Sequence, residues 1–184
     1  MLKWLRVFIW VCLAIYFVVG ISLSKLHRLT AEAEAPEPVR RELIQLAVKS
    51  LDHADVPVAA IVTYNDKIIG HGYNTVMRDS LITGHAEINA LNEVIRSMGY
   101  TKFMNLDREK LLLYSTYEPC EMCMGALEHY NIKKVVYMKE KSLLHWWRRS
   151  IKASYYQLMK RKSAGSHVQD SLFHLHPDYP GKQP

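Results

Sequence analysis

The sequence has few cysteines, only three in 184 residues. Cys12 lies in an apolar run, whereas Cys120 and Cys123 are three residues apart. The chain therefore has too few thiols for the disulfide framework that stabilises small secreted proteins. It also lacks the second thiol pair that a structural site with four cysteines needs. A reduced thiol pair that binds a metal ion fits this composition better.

Acidic residues are scarce in the last part of the chain. Residues 133–184 contain 11 Lys and Arg but 3 Asp and Glu, so the net charge of +6 arises there. One helical stripe recurs within this basic segment, at Leu144, Trp147, Ile151, Tyr155 and Leu158. Such a helix packs on a core with a solvated face, or binds single-stranded RNA by phosphate contacts and stacking, or rests on anionic lipid. Of the last two partners, we favour lipid over RNA.

No charged residue occurs between Val7 and Ser24. As a helix, this run would reach about 27 Å, which nearly matches a hydrocarbon core of about 30 Å. We therefore predict a single-pass membrane anchor over residues 1–28. The basic residues on its two flanks do not fix the orientation, and of the two sides we favour the cytoplasmic one for the rest of the chain. The alternative is a secretory signal peptide with a weak cleavage site at Val18-Val19-Gly20. The basic residues that bracket the run are Lys3, Arg6, Lys25 and Arg28.

A polar connector with two prolines, residues 29–38, follows the predicted anchor. We expect a folded domain over residues 39–162 and a flexible tail over residues 163–184. The domain should begin with a helix from Val39 to about His53, because apolar residues recur there at helical spacing. The stripe expected to face the core is Leu43, Ile44, Ala47, Val48 and Leu51.

Four apolar, β-branched segments predict strands, with a weak fifth at Ser171–His176. Helical patterns that begin at His85 and at Cys120 alternate with them. Because such alternation calls for parallel pairing, we expect an α/β fold with helices on both faces of one mixed sheet. Tyr73–Gly84 is predicted to be a surface loop, and Tyr100–Glu109 a polar connection. Asn65-Asp66, between the first two strands, predicts a turn and therefore a hairpin. The four strands are expected at Val58–Tyr64, Lys67–Gly72, Lys110–Ser115 and Ile132–Met138.

Two motifs can combine into a metal site. Cys120 and Cys123, directly after a proline, can face the same way on the first turn of a helix and bind one ion. His85 supplies an imidazole at the start of the preceding helix. Each motif alone is weak evidence, since an isolated Cys-x-x-Cys is about as often a redox pair or half of a structural zinc site as anything else. The combination, His-x-Glu followed by Pro-Cys-x-x-Cys, is the pattern of zinc nucleobase deaminases.

These residue types suit hydrolytic chemistry. A divalent ion with three protein ligands lowers the pKa of its water toward about 7, and one imidazole with two thiolates suits zinc. The helix starts at His85 and Cys120 favour the thiolates. Glu87, two residues after His85, can carry the water's proton to a ring nitrogen and then to the leaving amine.

Residues 56–138 resemble the cytidine and deoxycytidylate deaminase superfamily, and most of all its tRNA adenosine deaminase and guanine deaminase branch. The matching blocks are Val56-Pro57-Val58-Ala59-Ala60-Ile61-Val62, Ile68-Ile69-Gly70-His71-Gly72-Tyr73-Asn74, Gly84-His85-Ala86-Glu87-Ile88 and Glu118-Pro119-Cys120-Glu121-Met122-Cys123-Met124-Gly125-Ala126. The match covers under half of the chain.

The resemblance implies a helix-flanked five-stranded sheet, in a three-layer α/β/α cytidine deaminase-like sandwich. We expect a homodimer whose substrate is a nucleobase, nucleoside or nucleotide, with RNA as a further partner. It implies Zn²⁺ bound by His85, Cys120 and Cys123. Glu87 is the expected catalytic proton shuttle. The residues expected to bind substrate are Asn74, Ala86 and Val58.

Two functions remain open from the sequence. The favoured one is a membrane-anchored zinc deaminase that acts on a purine, with cytidine or deoxycytidylate as alternative substrates. The other is a catalytically silent, deaminase-like module that binds a nucleobase or a partner at the membrane. Glu87 favours the enzyme, because a binding module does not need a proton shuttle.

Overall fold

The chain divides into two compact units, residues 1–140 and residues 141–184. Almost all of the second unit lies outside the described residues. The predictions made there, namely the basic helix, the fifth strand and the tail after residue 162, therefore stay predictions. The computed structural model describes residues 34–142, together with Trp4, residues 6–13, Ile15, Arg148, Lys152 and Met159.

The N-terminal apolar run is described only in part. Residues 6–13 are helical and exposed, as are Trp4 and Ile15. Within these and the other described residues, no helix is long and apolar enough to cross a membrane. Ala14 and residues 16–24, which complete the predicted span, lie outside them. The predicted transmembrane helix is therefore not supported by the structure.

One mixed sheet forms the centre of the domain. Its strands are β1 (Ala59–Tyr64), β2 (Lys67–Tyr73), β3 (Leu111–Tyr117) and β4 (Lys134–Lys139). Their order across the sheet is β2-β1-β3-β4. β1 pairs antiparallel with β2 and β3, whereas β3 pairs parallel with β4. The prediction of a mixed sheet with these four strands is confirmed, with ends shifted by at most two residues.

Helices cover both faces of this sheet. From residue 34 to residue 142, the α-helices are α1 (Glu37–Ser50), α2 (Val76–Asp79), α3 (Ala86–Met98), α4 (Tyr100–Met104) and α5 (Glu121–His129). Ala60 and Val62 of β1 belong to the core formed with α3 and α5. Ala59 and Ile61, which point to the opposite face, belong to the core formed with α1. Successive residues of β1 thus face opposite sides of the sheet and pack against different helices, which gives the predicted three layers of helix, sheet and helix.

The connection between β1 and β2 is a two-residue turn. Asn65 and Asp66 have positive φ values of 49° and 61°. Two left-handed residues in succession are the type I′ turn that matches the twist of an antiparallel pair. Asn and Asp tolerate this conformation better than other side chains do. The hairpin that the sequence predicts is therefore confirmed.

The buried face of α1 differs from the predicted one. Leu43 and Ala47 are buried as expected, but Ile44, Val48 and Leu51 are 51%, 56% and 56% exposed. Apolar residues occupy more than one side of this helix, so its periodicity allows two overlapping stripes. The side of α1 that packs on the sheet has the buried residues Val39, Leu43, Leu46, Ala47 and Ser50.

Two segments predicted to be irregular contain short helices. α2 lies in the predicted loop Tyr73–Gly84, and α4 lies in the predicted polar connection. Phe103 of α4 is fully buried and meets the ring of Tyr130 edge to face at 5.8 Å. One aromatic side chain thus draws a mostly polar segment onto the core, an effect that periodicity does not reveal.

The helix α3 approaches β2 unusually closely. A Cβ atom at Gly72 would lie 2.1 Å from the carbonyl oxygen of Ala86 and 2.4 Å from the nitrogen of Ala90. At Gly70 it would lie 2.8 Å from the oxygen of Ala90. Both glycines therefore remove side chains where helix backbone meets strand backbone. This contact fixes the start of α3, at His85, against the sheet.

We expect Gly72→Ala to lower the free energy of unfolding by about 3 kcal/mol or more, because the backbone of α3 must move away from β2. Gly125→Ala is the matched control. A Cβ at Gly125, in the middle of α5, would have no neighbouring atom within 4 Å. Gly125→Ala should therefore raise the free energy of unfolding by about 0.5 to 1 kcal/mol. Urea unfolding midpoints measure both effects. Equal stability of the two variants would contradict this account of the packing.

Candidate metal centre and active site

Two helix starts bring three side chains together. His85 is the N-cap residue of α3, and Cys120 is the N-cap residue of α5. Cys123 follows in the first turn of α5 and is fully buried. The Glu118 backbone N–H donates to the Lys139 carbonyl at 2.8 Å, which holds the chain before α5 beside the end of β4.

The distances among the three side chains fit a zinc ion. Nδ1 of His85 lies 3.5 Å from Sγ of Cys120 and 3.6 Å from Sγ of Cys123, and the two sulfur atoms are 3.6 Å apart. Ligands of a tetrahedral zinc ion are separated by about 3.6 Å for nitrogen and sulfur and about 3.8 Å for two sulfurs. His85, Cys120 and Cys123 therefore lie where they could hold one ion together, and this donor set fits Zn²⁺. Their role as its ligands stays a prediction.

The two thiols titrate as a pair. The contact between the two sulfur atoms is the main cause that lowers the pKa of Cys120 to about 5. The same contact, together with burial, raises the pKa of Cys123 far above its usual range. A divalent cation between the sulfurs favours both thiolates, so zinc binding releases protons.

Glu87 lies beside the three ligands without belonging to them. It is the second residue of α3 and is 4% exposed. Its Oε2 accepts a hydrogen bond from Sγ of Cys123 at 3.3 Å. Burial is the main cause that raises the pKa of Glu87 above its ordinary value. A buried carboxyl group next to a metal site is suited to holding and passing on a proton.

The family is shown by its sequence model. Residues 34–139 match the model described as the cytidine and deoxycytidylate deaminase zinc-binding region. The chain belongs to this family. The three proposed ligands and Glu87 all fall within the matched residues, and so does the whole described sheet.

The relatives of this deaminase domain include tRNA-specific adenosine deaminases. The enzyme of Buchnera aphidicola is 36% identical over 94 residues, which are 51% of this chain and 59% of the relative. The tRNA-specific adenosine deaminase 2 of Danio rerio is 33% identical over 123 residues, which are 65% of this chain and 56% of the relative. The chain thus spans less than two thirds of the length of these relatives.

Solved deaminase structures share the fold. Guanine deaminase from Bacillus subtilis superposes with a TM-score of 0.59 at 23% identity, over 82% of this chain and 99% of that chain. Guanine deaminase from Nitrosomonas europaea gives a TM-score of 0.51 at 23% identity, over 60% and 62% of the two chains. The predicted α/β/α deaminase fold is therefore confirmed.

The three residues predicted to bind substrate lie close to the ends of β1, β2 and α3. Asn74 follows β2, and its backbone N–H donates to the carbonyl of Val58, just before β1, at 2.9 Å. Ala86 is the first residue of α3 and is buried. Each residue is thus at the end of a helix or one position from the end of a strand in the deaminase domain. Their contact with substrate stays a prediction.

Two polar residues near Asn74 were missed by the sequence reasoning. The Asp55 carboxylate is 4% exposed and accepts hydrogen bonds from the backbone N–H groups of Met77 at 2.7 Å and Arg78 at 3.1 Å. It thereby caps the short helix α2. Asn89, on α3, donates to the segment that carries Asn74. The hydrogen-bond partners of Asp55 and Asn89 are distant from them in sequence, so no local sequence pattern indicates either contact.

We expect Cys120→Ala to lose bound zinc, because two ligands hold the ion far more weakly than three. Cys12→Ala is the matched control, since it also removes a thiol group, but one that lies outside the site. Metal analysis of the full chain after purification measures both. Full zinc occupancy in the Cys120→Ala protein would overturn the ligand assignment.

Proposed function

We propose that this protein is a zinc-dependent hydrolytic deaminase that removes an exocyclic amine from a nucleobase, with a purine as the favoured substrate. The observation that carries the proposal is a buried carboxyl group, Glu87, placed 3.3 Å from Cys123 and beside a three-ligand site. A structural zinc site has no use for such a group, and its burial is costly without a function.

Glu87 would carry the proton in this reaction. Zinc with three protein ligands supplies a water molecule that is nucleophilic near neutral pH. Glu87 would take one proton of that water and pass it to a ring nitrogen, while a C–O bond forms at the carbon that bears the amine and the C=N bond of the ring becomes single. Glu87 would then move the remaining proton of the new hydroxyl group to the amine. The bond to the amine would break as the C=O bond forms, and ammonia would leave.

The similar sequences support a purine substrate. The relatives named as tRNA-specific adenosine deaminases are 33% and 36% identical to this chain. Adenine bears an exocyclic amine at C6, and guanine bears one at C2, so both present the required group. Asn74 would read the base edge, because its amide offers donors and an acceptor together. Cytidine and deoxycytidylate are the alternative substrates, and their amine is at C4.

We expect Glu87→Gln to retain zinc but lose about 10²- to 10⁴-fold in turnover, because the amide cannot accept and return the proton. Glu128→Gln, at an exposed position of α5, removes a carboxylate away from the site and should leave turnover unchanged. Ammonia release is measured with guanine, adenine, adenosine, cytidine, deoxycytidylate and tRNA.

Two outcomes would count against this function. Wild-type turnover by a folded, zinc-loaded Glu87→Gln protein would refute the role of Glu87. A zinc-loaded wild-type protein that released ammonia from no compound of the panel would favour the binding-module alternative.

The membrane anchor over residues 1–28 and the cytoplasmic location of the domain are further proposals. They are supported by the uncharged run from Val7 to Ser24 and its basic flanks. A homodimer is also proposed.

For the anchor, we expect the full-length chain to sediment with membranes and to resist washing with high salt, because a buried apolar helix does not depend on charge. Removal of residues 1–28 should release the protein into the soluble fraction. Recovery of the full-length chain in the soluble fraction, or a mature N-terminus near Ile21, would show the anchor to be wrong.

A further inference from the structure

One amide group joins α3 to both ends of the loop that follows Asn74. Nδ2 of Asn89 lies 2.8 Å from the carbonyl oxygen of Tyr73 and 2.9 Å from Oγ1 of Thr75. It also lies 3.3 Å from the carbonyl oxygen of Gly84. Carbonyl oxygens only accept hydrogen bonds, so the amide must present its NH₂ group here.

The ends of the loop also bind each other. The Thr75 backbone N–H donates to the carbonyl of Gly84 at 2.8 Å, and Thr75 is 2% exposed. Residues 75–84 therefore form a closed loop with a narrow neck. Asn74 lies immediately before this neck, and His85 immediately after it. Asn89 is one helical turn beyond His85, so it binds the neck from the helix that the zinc ligand caps.

Apolar packing contributes little to holding this loop. A cavity of about 560 Å³ lies against it, lined by Thr83 and Gly84 of the loop and by Asn89 and Asn92 of α3, among others. The apolar tip of the loop is exposed, with Ile82 at 84%. The position of the loop therefore depends on its hydrogen bonds, of which Asn89 supplies the side-chain bonds at the neck.

We propose that Asn89 is a positioning residue that holds the substrate-reading Asn74 at a fixed place relative to the zinc ligand His85. This inference rests on the proposed function, in which Asn74 reads the base. A displacement of about 1 Å between a bound substrate and the reacting groups can cost about 10²-fold in rate. Asn89 would prevent that displacement without touching the substrate itself.

The primary test uses Asn89→Asp, which keeps the shape of the side chain but turns an acceptor toward two carbonyl oxygens. Asn89→Ala provides a second variant in case the carboxylate prevents folding. Asn92→Asp and Asn92→Ala are the matched controls, since Asn92 is exposed on the same helix. With the best base of the panel, we expect either Asn89 variant to retain zinc and raise KM about tenfold, with a smaller change in kcat. The Asn92 variants should change neither constant.

A double-mutant cycle separates positioning from general loss of stability. If Asn89 acts through Asn74, Asn89→Ala should change KM less than about twofold once Asn74→Ala is present. Effects of the two substitutions that simply multiply would overturn the proposal. So would an unchanged KM in both Asn89 variants.

Amide hydrogen exchange tests the same contact without a substrate. We expect exchange at the backbone N–H groups of Thr75 and Gly84 to accelerate about tenfold in the Asn89 variants, while the Asn92 controls match the wild type. Unchanged exchange would overturn the proposal even in an active enzyme. Absence of ammonia release by the wild type would instead refute the proposed function, and the exchange measurement would still decide whether Asn89 holds the loop.

Discussion

The close packing of α3 on β2 is the contact on which the site depends. Gly70 and Gly72 let the two backbones meet, so the first residues of α3 lie directly against the sheet. His85 and Glu87 belong to those residues, and their side chains reach Cys120 and Cys123 at the start of α5. A larger residue at position 72 would shift both the imidazole and the carboxyl group relative to the thiols.

The loop before α3 is held by polar residues from two different parts of the fold. Asp55, which follows α1, caps the short helix α2, whereas Asn89 on α3 binds the neck. Each of these side chains adds hydrogen bonds to backbone groups of this part of the chain. A segment with an exposed apolar tip can in this way keep one conformation beside a reaction centre.

The proximity of Cys120 to Cys123 could be predicted because the two residues are related by a single helical turn, which is a local property of the sequence. The Asn65-Asp66 turn was predictable for the same reason. The buried face of α1 was not, since two apolar stripes share that helix and only the sheet selects between them. The role of Asn89 was hidden as well, because its acceptors at Tyr73 and Gly84 become neighbours only when the loop closes.

The spacing of the ligands has a mechanical consequence for a chain with so few cysteines. An ion bound by His85 and Cys120 joins two helices whose ligands are 35 residues apart in sequence. It closes a loop as a disulfide does, and in the chain-entropy account a covalent closure of that length is worth about 4 kcal/mol. The ion that is proposed to activate water would therefore also cross-link the domain. Removal of this ion would abolish the proposed catalysis and lower the resistance to unfolding at the same time.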